Sequence, residues 1–408
     1  MNIFSKNRVI KNKLIREIKQ SDEDNRVRKD LIDINYISII ILLMGLSLVM
    51  VYSASVAYSF KLYGNTAHFL GLQLLYQIIS GLVAAVVFVT VPSEFLRKNS
   101  LIIIYVILAL LVIVLIPHVG RQVNGARRWI NLIVVNIQPS ELAKLGFAIF
   151  LANLAAKKEL NNFKVTSEEF LKKPNMLLML LIYLVSAVLL LKEPDMGSLV
   201  VITMICFSIL LLGGFNSKYL LAIGGFLLIS FVGLVMAASY RLSRVTNFYD
   251  PWKDPFGNGY QLSHSLLAIS NGSWFGRGLG NSIEKLLYLP EAHTDFILAI
   301  IAEEFGFVGI FVVILLFAIL FYIGFFKIAK SCVRLERMFQ CYLVQAISVW
   351  FMIQMLFNLG VCVGILPTKG LTLPFISFGG SSLLANMLAV ACILRIDFEN
   401  RRLINGEH

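Results

Sequence analysis

The amino-acid sequence predicts an all-α polytopic membrane protein, and three observations lead to this fold class. Of the 408 residues, 58% are hydrophobic and 15% are charged, and the mean hydropathy is +0.79. Soluble proteins carry about 25% charged residues. Apolar runs of roughly 20 residues, the length that crosses a bilayer as a helix, recur along the whole chain. The runs are continuous and do not alternate in period two, which excludes a membrane β-barrel.

The apolar runs predict about ten transmembrane helices. They fall near residues 37–57, 70–91, 101–117, 138–156, 175–191, 197–213, 219–238, 295–326, 340–364 and 378–394. The run at 295–326 is longer than one upright helix needs, which indicates a tilted helix or one that extends beyond the bilayer. We expect a membrane domain over 36–397, between a basic N-terminal tail at 1–35 and a C-terminal tail at 398–408.

The distribution of Lys and Arg predicts the orientation of these helices. The formal net charge is +12, with 36 Lys and Arg residues. If both termini are cytoplasmic, the cytoplasmic segments hold 24 of these residues and the outer segments hold 11. Cytoplasmic loops of membrane proteins collect Lys and Arg, so we expect both termini inside and no role in nucleic-acid binding. Two long loops, 118–138 and 239–294, then lie outside, the second between helices 7 and 8.

Motifs for metals, nucleotides and disulfides are missing from the sequence. The five cysteines have no CxxC spacing, and no two of the five histidines have ligand spacing, so we expect packing roles for them. The glycines of the GRGLG run, Gly276, Gly278 and Gly280, loosely resemble a phosphate loop. No strand precedes this run, so a tight external turn is the better interpretation.

Asp195 is the first candidate site residue. It follows Pro194 and directly precedes a long apolar run. It is either an N-cap whose carboxylate accepts free backbone N–H groups, or a carboxylate at the mouth of a low-dielectric cavity. In the second case its pKa could rise enough for general-base catalysis.

A second pair of charges lies within an apolar run. Glu141 and Lys144 are one turn apart on one helix face that starts at Pro139. Glu303 and Glu304 lie at a similar depth in another run, so we expect one of them to pair with Lys144. The pair is either a structural link between two helices or part of a functional site, because ionisable groups inside a membrane are costly.

Three arginines on the outer face form the third candidate. Arg121, Arg127 and Arg128 lie close to Trp129 in a region where the predicted topology makes cations scarce. They either anchor the loop to anionic lipid headgroups or bind a lipid pyrophosphate through bidentate hydrogen bonds.

The residues around these candidates resemble the SEDS family of polytopic peptidoglycan polymerases. Four stretches carry the resemblance, namely 125–130 with 138–144, 193–198, 288–297 with 303–306, and 366–382. It extends over about residues 36–397. The triplet Thr368-Lys369-Gly370 and the run 290–294 are similar to division-type rather than elongation-type members.

The resemblance implies a ten-helix protein of the cytoplasmic membrane that polymerises lipid II into glycan strands on the outer face, at the division septum. It places the catalytic carboxylate at Asp195. The expected substrate-binding residues are Arg127, Arg128, Glu141, Lys144, His293, Asp295 and Lys369. The implied partners are a class b penicillin-binding protein, other division proteins and membrane lipids.

The chemistry asks for one base and for charge stabilisation of the leaving group. A sugar hydroxyl must lose its proton as it attacks, whereas a pyrophosphate leaves without protonation and needs cations nearby. Arginine, lysine or a divalent cation, Mg²⁺ or Mn²⁺, could supply that charge. The sequence predicts no resident metal site. The remaining alternatives are a lipid II flippase, whose usual inverted repeats are not found, a non-catalytic scaffold, and an elongation-type polymerase.

Overall fold

The computed structural model describes residues 31–123, 126–132, 135–157, 174–215, 218, 224–225, 233, 250–257, 259–367 and 370–406. Its helices are α1 Ile34–Tyr63, α2 His68–Thr90, α3 Ser93–Lys98, α4 Ser100–Leu115, α5 Pro139–Ala156, α6 Pro174–Lys192, α7 Met196–Leu212, α8 Tyr260–Gly272, α9 Ile297–Tyr322, α10 Ala329–Arg334, α11 Met338–Cys362 and α12 Gly380–Ile404. A π-helical turn, Ile323–Ile328, joins α9 to α10, and a short 3₁₀ turn, Pro251–Lys253, precedes α8.

The predicted helical membrane architecture is confirmed. Nine of the ten predicted runs coincide with described helices, and most of the run at 219–238 lies outside the described residues. Within the described ranges, six helical stretches are long and apolar enough to cross a bilayer, and α4 and α7 are shorter apolar helices. The outward faces of α1, α2 and α6 expose Leu, Ile and Val side chains, as lipid-facing helices do.

The segment between α4 and α5 contains a small antiparallel sheet that the sequence did not predict. Its strands are β1 Gly120–Val123, β2 Ala126–Leu132 and β3 Val135–Ile137, in the order β1-β2-β3. Ile130 pairs with Gly120 on one side and with Ile137 on the other. Because β3 ends directly before α5, the sheet places Arg127 and Arg128 beside the start of that helix.

Helix α11 lies at the centre of the bundle. It packs against α5, α7, α9 and α12, and its Trp350 side chain is fully buried. Polar side chains also join the helices, as where Gln73 Nε2 of α2 donates to Ser47 Oγ of α1 at 2.8 Å. Such hydrogen bonds hold helices together in lipid, where the hydrophobic effect does not drive their association.

Helix α9 is broken near its start, at Gly306, which the sequence did not predict. Gly306 has φ 69° and ψ −163°, a conformation that favours glycine. The chain at 273–278 fills the break, where Arg277 N donates to Glu303 O at 2.9 Å and Gly278 N donates to Glu304 O at 3.0 Å. The GRGLG run is therefore a tight turn, as predicted, and it satisfies carbonyls that the helix break releases.

At the opposite end of the bundle, α12 continues past the predicted domain boundary at residue 397. The backbone N–H of Asp33 donates to Asp397 Oδ2 at 2.8 Å, and Arg401 Nε donates to the same oxygen at 2.9 Å. These buried contacts tie the last turns of α12 to the start of α1. The helix ends at Ile404, seven residues beyond the boundary that the sequence predicted for the membrane domain.

Candidate functional site

Asp195 is the N-cap of α7, as one of the two interpretations expected. Its Oδ1 accepts a hydrogen bond from Ser198 N at 3.1 Å. Its Oδ2 accepts from Ser140 Oγ at 2.6 Å, Ser198 Oγ at 2.8 Å and Gln138 Nε2 at 3.1 Å. The carboxylate is buried and therefore joins the start of α7 to the start of α5.

The electrostatics of Asp195 differ from the expectation. Burial acts to raise the pKa of its carboxyl, but the hydrogen bonds from Ser140 and Ser198 and the charge of Arg128 outweigh burial and lower the pKa from its ordinary value. The pKa therefore shifts in the direction opposite to the rise that the second interpretation of Asp195 requires. Four donors also occupy most of the lone pairs of this carboxylate, so it is a stable anion and a weak base.

Asp295 has the opposite environment. It lies just before α9 and is partly buried, and within the described residues no group donates a hydrogen bond to its carboxylate. Burial raises the pKa of Asp295 to about 7, the nearby Glu291 adds to this, and Arg128 opposes it. A base with a pKa near the working pH is the most effective one. The backbone at Gly370 runs alongside, since a Cβ there would lie 3.0 Å from Asp295 Oδ2.

Glu193 is a third acidic residue of this site. Its side chain is fully buried, and neither carboxylate oxygen has a hydrogen-bond partner in the described part of the chain. Burial raises the pKa of Glu193 to about 8, the Asp195 charge adds to this, and Arg128 opposes it. Glu193 is thus largely protonated at neutral pH, because an ionised carboxylate without donors is costly to bury.

The two arginines of β2 have different surroundings. Arg128 Nε donates to Glu193 O at 2.9 Å and Nη2 donates to Pro194 O at 2.5 Å, so this guanidinium holds the turn before α7. Arg127 makes no hydrogen bond or ion pair with another described residue, and neighbouring side chains of a strand point to opposite faces. The Arg128 charge acts on Glu193 and Asp195 before α7 and on Asp295 before α9, and the donors of Arg127 bind no other described residue.

Lys144 pairs within its own helix. Its Nζ lies 2.8 Å from Glu141 Oε1 and donates to Gln354 Oε1 of α11 at 3.2 Å. The ammonium also lies 5.7 Å from the centroid of the Trp350 ring. The Lys144 side chain is completely buried, so this pair supports the site from beneath.

The expectation that Glu303 or Glu304 pairs with Lys144 is wrong. Glu304 Oε1 lies 2.7 Å from Lys285 Nζ and accepts from Ser53 Oγ at 2.6 Å. Glu303 accepts from Ser282 Oγ at 2.5 Å. These buried glutamates of α9 bind the segment 282–285, and Glu304 also binds α1. Their depth along the helix gave no information about the direction in which their side chains point.

His293 and Lys369 were also expected to bind substrate. The His293 ring is buried among the rings of Tyr58, Phe69 and Phe378, with its centroid 4.7 Å from that of Phe69. Burial lowers the pKa of His293, against the effect of Glu291, so the ring is a neutral packing element. Lys369 lies outside the described residues.

Side chains that the sequence did not single out connect these groups. Ser381, at the start of α12, accepts from Gln138 N at 3.0 Å and donates to Asn136 O at 2.5 Å. Gln354 and Asn358 of α11 bind the chain between α11 and α12. The only sequence signal for the last two is a pair of amides at i,i+4 inside an apolar run.

Among the described ranges, no three His, Cys, Asp or Glu side chains lie together as potential ligands of a metal ion.

Comparisons with known proteins agree with this architecture. The family model for the FtsW, RodA and SpoVE proteins, described as cell cycle proteins, matches residues 34–402. The chain is 44% identical to the probable peptidoglycan glycosyltransferase FtsW of Aromatoleum aromaticum, covering 89% of this chain and 87% of that one. It is 42% identical to the protein of the same name from Nitrosomonas europaea, covering 91% of this chain and 94% of that one.

Two solved structures share the fold. One is a chain from a structure described as "Structural coordination of polymerization and crosslinking by a peptidoglycan synthase complex". It has a TM-score of 0.71 and 27% sequence identity, and the match covers 90% of this chain and 98% of that one. The other is the rod shape determining protein RodA of Thermus thermophilus, with a TM-score of 0.64, 26% identity and coverage of 90% and 96%. With the family model matching nearly the whole helical domain, the chain belongs to the FtsW/RodA/SpoVE family of membrane proteins.

Proposed function

We propose that this protein is a peptidoglycan glycosyltransferase that polymerises lipid II into glycan strands on the outer face of the cytoplasmic membrane, in septal wall synthesis. The relatives named FtsW support the activity and the division-type assignment. The observation that carries the proposal in this chain is Asp295, a carboxyl with a pKa raised to about 7 and no donor among the described residues. Arg127, whose donors bind no other described residue, lies on β2. Arg128, the next residue of that strand, acts electrostatically on Asp295.

The proposed reaction uses these two groups. The Asp295 carboxylate accepts the proton of the attacking sugar hydroxyl while the hydroxyl oxygen bonds to the anomeric carbon of the lipid-linked donor. The bond from that carbon to the pyrophosphate breaks, and the undecaprenyl pyrophosphate departs with the electron pair. Arg127 stabilises the departing phosphate by charge-assisted hydrogen bonds. A second carboxylic acid is unnecessary, because it serves leaving groups that must be protonated.

Asp195 remains the alternative base. Its buried carboxylate is already bound to four donors, and its pKa is lowered. We therefore assign it a positioning role, in which it holds the outer ends of α5 and α7 together beneath the reacting groups. Glu141 and Lys144 have a similar supporting role, since neither is exposed enough to meet a lipid-linked sugar.

The proposed setting follows from charge and from the solved relatives. The chain crosses the membrane several times, and we propose that both termini are cytoplasmic and that the protein is enriched at the septum. A peptidoglycan synthase complex that coordinates polymerization and crosslinking contains a chain of the same fold. We accordingly propose a complex with a class b penicillin-binding protein, together with other division proteins and the surrounding lipids.

The test is polymerisation of lipid II by the purified protein in detergent, with and without its penicillin-binding partner. Detergent removes the compartments that a flippase needs, so long glycan strands on a gel would support an enzyme. Asn153→Leu serves as a matched control, because this amide of α5 donates to Ser100 Oγ far from Asp295 in the sequence. If the protein moves lipid II across vesicle membranes and makes no strands in detergent, the proposal is wrong.

A further inference from the structure

Helix α11 presents two buried amides one turn apart toward the chain that connects it to α12. Gln354 and Asn358 are both almost inaccessible to solvent. Gln354 Nε2 donates to Thr372 O at 2.8 Å, while its Oε1 accepts from Lys144 Nζ and Trp350 Nε1. Asn358 Nδ2 donates to Leu371 O at 2.8 Å and to Asp295 O at 2.8 Å. The Asn358 amide therefore bridges two loops that are far apart in the sequence.

Residues 293–295, directly before the N-cap Phe296 of α9, are held through their three consecutive carbonyl groups. His293 O accepts from Phe378 N at 3.0 Å, and Thr294 O accepts from Ser377 Oγ at 2.6 Å. Asp295 O accepts from Asn358 Nδ2. Two of these donors belong to the connecting loop itself, and Asn358 comes from a central helix. Asn358 therefore links the Asp295 segment to the rigid core of the bundle.

The Asn358 amide also fixes the backbone that lies beside the Asp295 carboxylate. Because Asn358 binds Leu371 O, it also holds the backbone of Gly370, where a Cβ would come within 3.0 Å of Asp295 Oδ2. We propose that Asn358 is a positioning residue that sets the Asp295 carboxylate against the Gly370–Leu371 backbone. This inference rests on the proposed function, in which Asp295 is the general base.

The expected consequence is kinetic. A displacement of about 1 Å in a catalytic group can reduce the rate about 10²-fold without loss of folding. Asn358→Leu keeps the number and branching of the side-chain heavy atoms, replaces the amide with two methyl groups and removes both donated hydrogen bonds. We expect kcat for lipid II polymerisation to fall about 10- to 100-fold while KM changes less than about threefold.

The pH profile gives a readout that a packing role would not move. Among the described residues, the charged and titratable groups that act on Asp295 are Arg128, Glu291 and the Cys362 thiol, and none of these three is substituted in the variants. In Asn358→Asp the new carboxylate cannot donate when ionised and adds a negative charge near Asp295. A negative neighbour favours the protonated form, so the acid limb of the rate profile should move to higher pH.

The experiment compares the variants with Asn153→Leu, which removes one partly buried amide hydrogen bond elsewhere in the bundle. If Asn358→Leu inserts poorly, Asn358→Ser, which can donate to only one of the two carbonyls, and Asn358→Asp provide the same comparison. Wild-type kcat and pH profile in the folded Asn358 variants would overturn the inference, as would a loss no larger than that of Asn153→Leu. Full activity in Asp295→Asn would instead refute the base assignment, so the two failures are distinguishable.

Discussion

The buried ion pair of α5 allows a sharp prediction about stability. The side chains of Lys144 and Glu141 are 0% and 8% exposed, and Glu141 Oε2 has no partner among the described residues. Lys144→Met removes the ammonium and leaves a buried carboxylate without its counter-charge. Breaking one partner of a buried pair costs about 3–5 kcal/mol, so we expect the free energy of unfolding to fall by about that amount.

The double variant Glu141→Gln/Lys144→Met should be much closer to the wild type, because no uncompensated charge remains. The chain also contains a matched control with the same spacing. Arg97 and Glu94 form an i,i+3 pair whose side chains are 49% and 42% exposed. Exposed pairs contribute about 1 kcal/mol or less, so Arg97→Met should be nearly neutral.

The measurement is reversible unfolding by sodium dodecyl sulfate in mixed micelles, followed by circular dichroism, for the wild type and the three variants. The expected order of destabilisation is Lys144→Met first, the double variant well below it and Arg97→Met least. If Lys144→Met lowers the unfolding free energy no more than Arg97→Met does, the burial argument is refuted.

Three further predictions follow from single features. With a pKa raised to about 8, Glu193 lowers the free energy of unfolding as pH rises between about 4.5 and 8, because only the unfolded chain ionises in that window. In Glu193→Gln the free energy of unfolding should depend less on pH over that window, and an unchanged slope would contradict the assignment. Gly306→Ala should disrupt the loop at 273–278 that packs against Gly306, since φ is positive there and the new Cβ would meet backbone atoms. Gly45→Ala has open space in α1 and should be neutral or slightly stabilising in the same unfolding assay. Equal effects of the two variants would refute the role of Gly306. An impermeant maleimide should label Asn281→Cys in intact spheroplasts and Lys98→Cys only after lysis. The background should be low, because all five native cysteines are buried. The reverse labelling pattern would contradict the proposed topology.

The helices were predictable because an apolar run and the thickness of a bilayer together set the length of a membrane helix. The break at Gly306 was not, because it depends on a loop some thirty residues earlier that fills the gap with its own N–H groups. The three strands between α4 and α5 were also missed. They are too short for a long alternation of apolar and polar residues to mark them.

The site was predictable in its composition and less so in its roles. The N-cap at Asp195 is a local feature, and the sequence indicated it. Its pKa depends on Ser140 and Arg128, which belong to other elements of the fold. The sequence alone therefore could not show that the pKa of Asp195 is lowered and not raised. Depth along a helix likewise could not show that Lys144 turns toward Glu141 and Gln354 rather than toward the glutamates of α9.

The assignment of the general base is tested most directly by the pH dependence of lipid II polymerisation in wild type, Asp295→Asn and Asp195→Asn. Asparagine can still cap a helix, so Asp195→Asn should fold and keep an acid limb near pH 7, the pKa of Asp295. Asp295→Asn should lose at least about a hundredfold in rate and lose that limb, since general-base catalysis contributes about 10²–10⁴-fold. A folded Asp295→Asn protein with the wild-type rate and pH profile, beside an inactive Asp195→Asn protein, would contradict the assignment and return the base to Asp195.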